Sequence, residues 1–186
     1  MRSNSAVMAF IMALGIGSGL LVPTGGARAE DHPLSTITGP GIELKVFDHA
    51  FAGSIRDFVV WGEVNEQEFT SELIMRRDGQ TIRTAFRKQE DGVLRGTIKH
   101  ETEAGMRETV LAFVGVDRAK AKIVLQRNGV PVEVLISADG FANNHFENPT
   151  YRAALDGQEI SFTLKGQACF GYSLHLALLI LGAYTH

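Results

Sequence analysis

The sequence predicts a mainly β domain. About eight antiparallel strands form a meander that closes as a barrel or packs as a sandwich, followed by a short apolar C-terminal helix. Three observations predict this. Turn dipeptides punctuate the chain at Asp78-Gly79, Asp91-Gly92, Ala104-Gly105, Asn128-Gly129, Asp139-Gly140 and Asp156-Gly157. Asx-Gly pairs accept the positive φ angles that tight hairpin turns need. Between them, apolar and polar residues alternate with period two, the mark of half-buried strands. Close to the end, residues 174–183 are a run of Leu, Ala and Ile almost free of β-branching, a composition that favours helix.

The first 29 residues have the layout of a secretory signal peptide. Arg2 supplies the charged start, an uncharged apolar stretch covers residues 6–22, and Ala27-Arg28-Ala29 closes as a cleavage pattern. No twin arginines occur, and no cysteine follows the stretch to carry a lipid. The mature domain is therefore read as residues 30–186, one domain with enough chain to enclose a sizeable core. Residues 32–41, with Pro33, Pro40 and two glycines, read as a loose lead-in.

Residues 58–64 are β-branched and aromatic and read as an early strand. Residues 69–75 and 81–86 flank Asp78-Gly79 as a hairpin. In residues 106–114, Val110, Ala112 and Val114 oppose Thr109, Leu111 and Phe113, which predicts two buried faces. Val130, Val132, Val134 and Ile136 share one face of the next strand. Residues 141–151 are polar, contain Pro149 and read as the longest internal loop. Ile160, Phe162 and Leu164 then alternate with polar neighbours. The last helix takes Ser173 as its N-cap, and apart from His175 it is apolar on every side, so it must be covered on most of its surface. About ten apolar residues cover half of what a bilayer needs, so the mature chain has no stable membrane span.

The strand count, the chain length and the late helix resemble the lipocalin-like architecture. The Gly-x-Trp signature of lipocalins is missing, since Gly62 follows Trp61, and the resemblance is one of architecture alone.

The full chain carries 18 basic and 21 acidic residues, a net charge of −3, and cleavage would remove only Arg2 and Arg28. A mildly acidic domain does not bind nucleic acid through bulk charge. Seven basic residues from Arg76 to Lys99 fall on strands whose solvent face they would charge, which limits edge pairing. The single cysteine, Cys169, rules out an internal disulfide, so the fold rests on its core. Cys169 precedes the helix by about one turn, where a thiolate gains from the outward N–H groups. A nucleophilic role would pair it with His145, His175 or His100. The competing reading is a buried structural thiol, crowded by Ala168, Phe170 and Tyr172.

Common hydrolase and nucleotide motifs are missing, and no histidine or cysteine spacing suits a metal. His186 reads as a solvated terminal residue. No cofactor is implied. The sequence therefore predicts an exported, non-enzymatic binding domain, periplasmic or secreted, for a small apolar ligand or an envelope protein partner. Trp61, Phe141, His145, Phe146 and Tyr151 are the candidate contact residues. The alternative is a thiol-dependent enzyme or redox protein using Cys169 with His145 or His175.

Overall fold

The computed structural model describes residues 33–117 and 119–184. The signal-like segment at residues 1–29, and His186, lie outside the described residues. In chain order the elements are β1 (Ser35–Gly39), β2 (Ile42–Val46), β3 (Ala50–Ile55), β4 (Phe58–Asn65), β5 (Thr70–Arg77), β6 (Gln80–Lys88), β7 (Leu94–Thr102) and β8 (Gly105–Asp117). They continue with β9 (Lys122–Arg127), β10 (Val130–Ser137), β11 (Gly140–Ala142), β12 (His145–Glu147), β13 (Thr150–Leu155), β14 (Gln158–Lys165), β15 (Gln167–Cys169) and the helix α1 (Phe170–Ala183).

Twelve strands close a barrel: β1 to β10 in sequence order, then β13 and β14, with β14 pairing back onto β1. The expectation of about eight strands was too low. The first strand that the sequence predicts is residues 58–64, yet β1, β2 and β3 all precede it, and β13 begins inside the stretch read as a loop. β1 lies inside the residues read as a lead-in and closes the ring through Thr36–Lys165 and Thr38–Thr163. Pro40-Gly41 is the turn between β1 and β2, and Gly41 takes φ 70° there. An eight-stranded barrel is filled by its own side chains, whereas a wider ring has room for more. Here that room holds α1.

Every residue of α1 from Leu176 to Ala183 is buried, and the helix packs against β4, β5 and β6. The lining of the barrel alternates inward apolar residues with outward polar ones, as in β2, where Ile42, Leu44 and Val46 are buried between exposed Glu43 and Lys45. Two aromatic–glycine pairs lie across neighbouring strands of the wall. Phe51 lies opposite Gly62 and Phe86 opposite Gly96. A Cβ at either glycine would overlap the partner's ring, so each ring occupies the space its glycine leaves open. Gly182 does the same for the helix. A Cβ there would stand 3.1 Å from Leu111 and 3.2 Å from Ile98 and Thr84. Between α1 and the wall, the space lined by Leu111, Leu125, Leu178 and Leu181 measures about 10 Å³, no more than one water probe.

The outward face of β8 corrects a second expectation. Thr109 and Leu111 are buried, but Val110 and Val114 are exposed, because that face meets solvent and not a second sheet.

The two rims differ. At the lower rim the six connections, including Asp78-Gly79, Asn128-Gly129 and Asp156-Gly157, are two residues long. Asn128 and Gly129 take φ 49° and 82°, Asp156 and Gly157 51° and 78°, the positive pair of a tight primed turn. Tyr184 caps the helix here: its hydroxyl donates to the Pro40 carbonyl at 2.6 Å, and the Arg56 guanidinium lies 4.2 Å from the ring centre. At the upper rim the connections are longer. Residues 141–151, read as a loop, form the hairpin β11–β12, and β15 adds to it as a third strand. No helix among the described residues is long and apolar enough to cross a membrane.

Candidate functional site

The upper rim holds the chemistry. β15 leads the chain into the barrel, and α1 starts at Phe170, four residues sooner than the expected Ser173 cap would set it. Cys169 is the N-cap: its backbone is extended, and Sγ accepts from the Tyr172 N–H at 3.3 Å. Ser173 is instead buried within the first turns. The register of the small sheet puts His145 directly opposite Cys169, and directly opposed residues project to the same side. Imidazole and thiol therefore both line one cavity of about 710 Å³, the mouth of the barrel.

Cys169 Sγ also donates to Glu66 Oε1 at 3.0 Å. Glu66 lies in the β4–β5 turn, where the Asn65 side chain accepts from the N–H groups of Gln67 and Glu68 at 3.1 Å each. That turn supplies the carboxylate that the first turn of α1 lacks in its own sequence, a favourable charge at a helix N-terminus. Burial pushes the Cys169 thiol above its ordinary pKa. The Tyr172 N–H opposes this, and Glu66, as acceptor and as charge, adds to it. A thiol held protonated in this way is a poor nucleophile. The His145 Nδ1 lies 2.8 Å from the Asn143 carbonyl, so Nδ1 carries the proton and donates.

Around these groups the mouth carries four carboxylates, Asp48, Glu63, Glu66 and Glu68, with no lysine or arginine among its lining residues. Its apolar surface comes from Leu34, Val46, Phe47, Val64, Leu164 and Tyr172. The Tyr172 hydroxyl is buried without a hydrogen-bond partner. Burial raises its pKa, with Glu66, Asp48 and Cys169 adding to the effect. One layer deeper, His175 Nδ1 lies 3.0 Å from the Ser71 Oγ. Burial depresses the His175 pKa, and Glu66 partly offsets this.

The sequence-predicted contact residues do not gather here. His145 alone lines the mouth. Trp61 is on the outer face of β4, under the Arg76 guanidinium at 5.0 Å, beside a separate groove of about 500 Å³. Phe141, Phe146 and Phe170 form an aromatic row, with centroids 4.8 and 5.9 Å apart, that ties the small sheet to the start of α1. Tyr151 is fully buried on the inner face of β13, stacked on Phe162 at 5.0 Å, with its hydroxyl beside Ser173 of α1. Of the predicted thiol partners, His145 faces the mouth with Cys169 and His175 lies beneath it, while His100 is near the lower end of β7. Sequence reasoning missed Glu66, Asp48, Glu68 and Ser71. The run Glu63-Val-Asn-Glu-Gln-Glu68 was the available signal, three acids beside an Asn turn.

No protein-family model matches the chain, and no curated protein or solved structure matches it.

Proposed function

We propose that the domain is an exported, non-enzymatic binding module. Its site is the barrel mouth, and its ligand is a small organic cation, an ammonium group carried on an apolar body. One observation carries this reading: four carboxylates and no lysine or arginine line a cavity whose other lining residues divide between neutral polar side chains and an apolar set that includes the aromatic rings of Phe47 and Tyr172. A cation gains from the carboxylates and from aromatic faces such as those of Tyr172 and Phe47. The cavity volume is that of a small-molecule site. The barrel interior is taken by α1, so an apolar ligand has its place at the mouth and not inside. Export rests on residues 1–29 and places the module in the periplasm or outside the cell.

Thiol chemistry draws its support from the Cys169–His145 register pair. The proton on Sγ and its acceptor Glu66 weigh against it.

The test is calorimetric titration with hexyltrimethylammonium and, in parallel, hexyl sulfate. The ammonium should bind, more weakly as salt rises, and the sulfate should not. Glu66→Gln should weaken ammonium binding about fivefold, on the order of 1 kcal/mol for one nearby charge in a watery setting. Equal binding of both probes, or of neither, overturns the reading.

A further inference from the structure

Two like-charge pairs of opposite sign stand side by side on the outer wall of the barrel. Glu63 of β4 is directly opposite Glu72 of β5, and Arg87 of β6 is directly opposite Arg95 of β7. Directly opposed residues project to the same side, and like charges so placed destabilise a sheet. All four point outward, since their neighbours Val64, Leu73, Phe86 and Leu94 are buried inside. Glu72 is also opposite Ala85, two residues before Arg87. Glu72 and Arg87 are therefore diagonal neighbours, about 7–8 Å apart across the strands. Between the pairs Ala85 leaves the wall shallow, and the four charged residues line a groove of about 560 Å³. Half-exposed Val110 adds an apolar contact to it. Arg95 pairs with Asp91 at 2.7 Å, and Arg83 reaches Glu72 only at 4.0 Å. Among the described residues, neither Glu63 nor Arg87 has an ion-pair partner.

We propose that this groove is the interface of a homodimer, its occupant a second copy of the chain. A two-fold axis lying in the contact plane, between the acidic and the basic pair, lays Glu63 and Glu72 of each copy on Arg87 and Arg95 of the other. One surface then meets itself, as an isologous contact requires. Each like-charge opposition within a wall is relieved by the opposite charge from across the interface. Arginine suits the contact, because its planar fork takes a carboxylate in two parallel hydrogen bonds. A partner of a single charge would satisfy one half of the groove and be repelled by the other, whereas a second copy satisfies both. Glu63 also borders the mouth. The dimer is measured without ligand, so it stands apart from what the mouth binds.

Sedimentation equilibrium of the intact chain, at about 10 mM salt and again at about 500 mM, tests this. The wild type should dimerise, and more weakly at high salt, because screening acts on exposed charges. Two variants reverse one pair each: Glu63→Arg/Glu72→Arg and Arg87→Glu/Arg95→Glu. Each alone should dimerise at least about tenfold more weakly, since like charges then meet across the axis. Mixed in equal amounts, the two should form a heterodimer, because an all-basic groove meets an all-acidic one. A merely structural role of these residues predicts no such rescue. A wild type that stays monomeric at both salt concentrations overturns the proposal. So does a dimer that survives either reversal, or a mixture of folded variants in which no heterodimer forms. Amide NMR spectra establish that each variant is folded. Should a reversed variant fail to fold, Glu63→Gln and Arg87→Gln take its place. Each removes a charge with no ion partner in the described chain and should weaken the dimer about threefold. Unchanged association in both would overturn the proposal equally.

Discussion

The hydroxyl of Tyr184 donates to the Pro40 carbonyl at 2.6 Å, joining residues 144 apart in sequence. Cys169 makes the matching long-range bond, to Glu66, at the other end of the same helix. α1 is thus fastened at both rims, and between them it is surrounded by the wall. Helix and barrel form one core, and the lower-rim lock is open to test. Tyr184→Phe should cost about 1 kcal/mol, the net worth of one hydrogen bond. Tyr184→Ala should cost more, since the Arg56 contact goes too. Urea denaturation of both variants checks the order.

The core position of α1 makes a stronger prediction. Leu179 is 0% exposed. Leu179→Ala should lose about 2–5 kcal/mol, the transfer of its side chain plus the cavity left behind. A chain ending at Lys165 should fail to form a closed, rigid barrel, because the ring is too wide for its own side chains to fill. Dye binding to exposed apolar surface and lost dispersion of the amide NMR spectrum would report this. A truncated chain with native spectra would mean that the wall holds itself up.

Gly62 and Gly96 are predicted to resist enlargement. Gly96→Val drives a branched side chain into the Ala85 backbone carbonyl as well as the Phe86 ring and should cost about 1–3 kcal/mol or more. Pairing it with Phe86→Leu should recover the part of the loss that comes from the ring, while the clash with the Ala85 carbonyl stays. A double-mutant cycle measures that recovery, and strict additivity would refute the shared space.

How much of this was legible beforehand follows from where the signals lie. Asn128-Gly129 and Asp156-Gly157 state their turn in two adjacent residues, and both occur as read. β14 shows its face through Ile160, Phe162 and Leu164, all buried. β1 gave no such sign, because Ile37 is its one fully buried residue and Gly39 and Pro40 follow at once. The helix was legible in its composition, but its interior place was not. A sequence says that such a helix must be covered, and only the strand count says by what. The mouth was legible least of all. Glu66 and Cys169 are 103 residues apart, and each alone is an ordinary surface acid and an ordinary small thiol.

Cys169 yields a chemical prediction. With its thiol raised in pKa by burial and by Glu66, it should react slowly with an aromatic disulfide reagent at neutral pH. Glu66→Gln removes both the carboxylate acceptor and the negative charge, so the thiol pKa should fall and the reaction speed up. If the substitution slows the reaction, Glu66 is activating the sulfur as a base, and the thiol-enzyme reading regains its footing.

The last prediction concerns stability against pH. His175 has a depressed pKa in the folded chain, and burial is the first cause. The unfolded chain takes up this proton near pH 6.5, the ordinary histidine value. The folded chain takes it up only at lower pH. Between the two values the unfolded state therefore holds more protons, and stability rises with pH. The contribution is complete above about pH 6.5, and it is lost as pH falls below that value towards the folded pKa. One proton sets the steepest slope at about 1.4 kcal/mol per pH unit. Urea midpoints measured from pH 7.5 to 5 should show that loss in the wild type, and His175→Gln should flatten it. A variant that keeps the same slope would move the cause elsewhere, with the exposed His49 and His145 the next residues to replace.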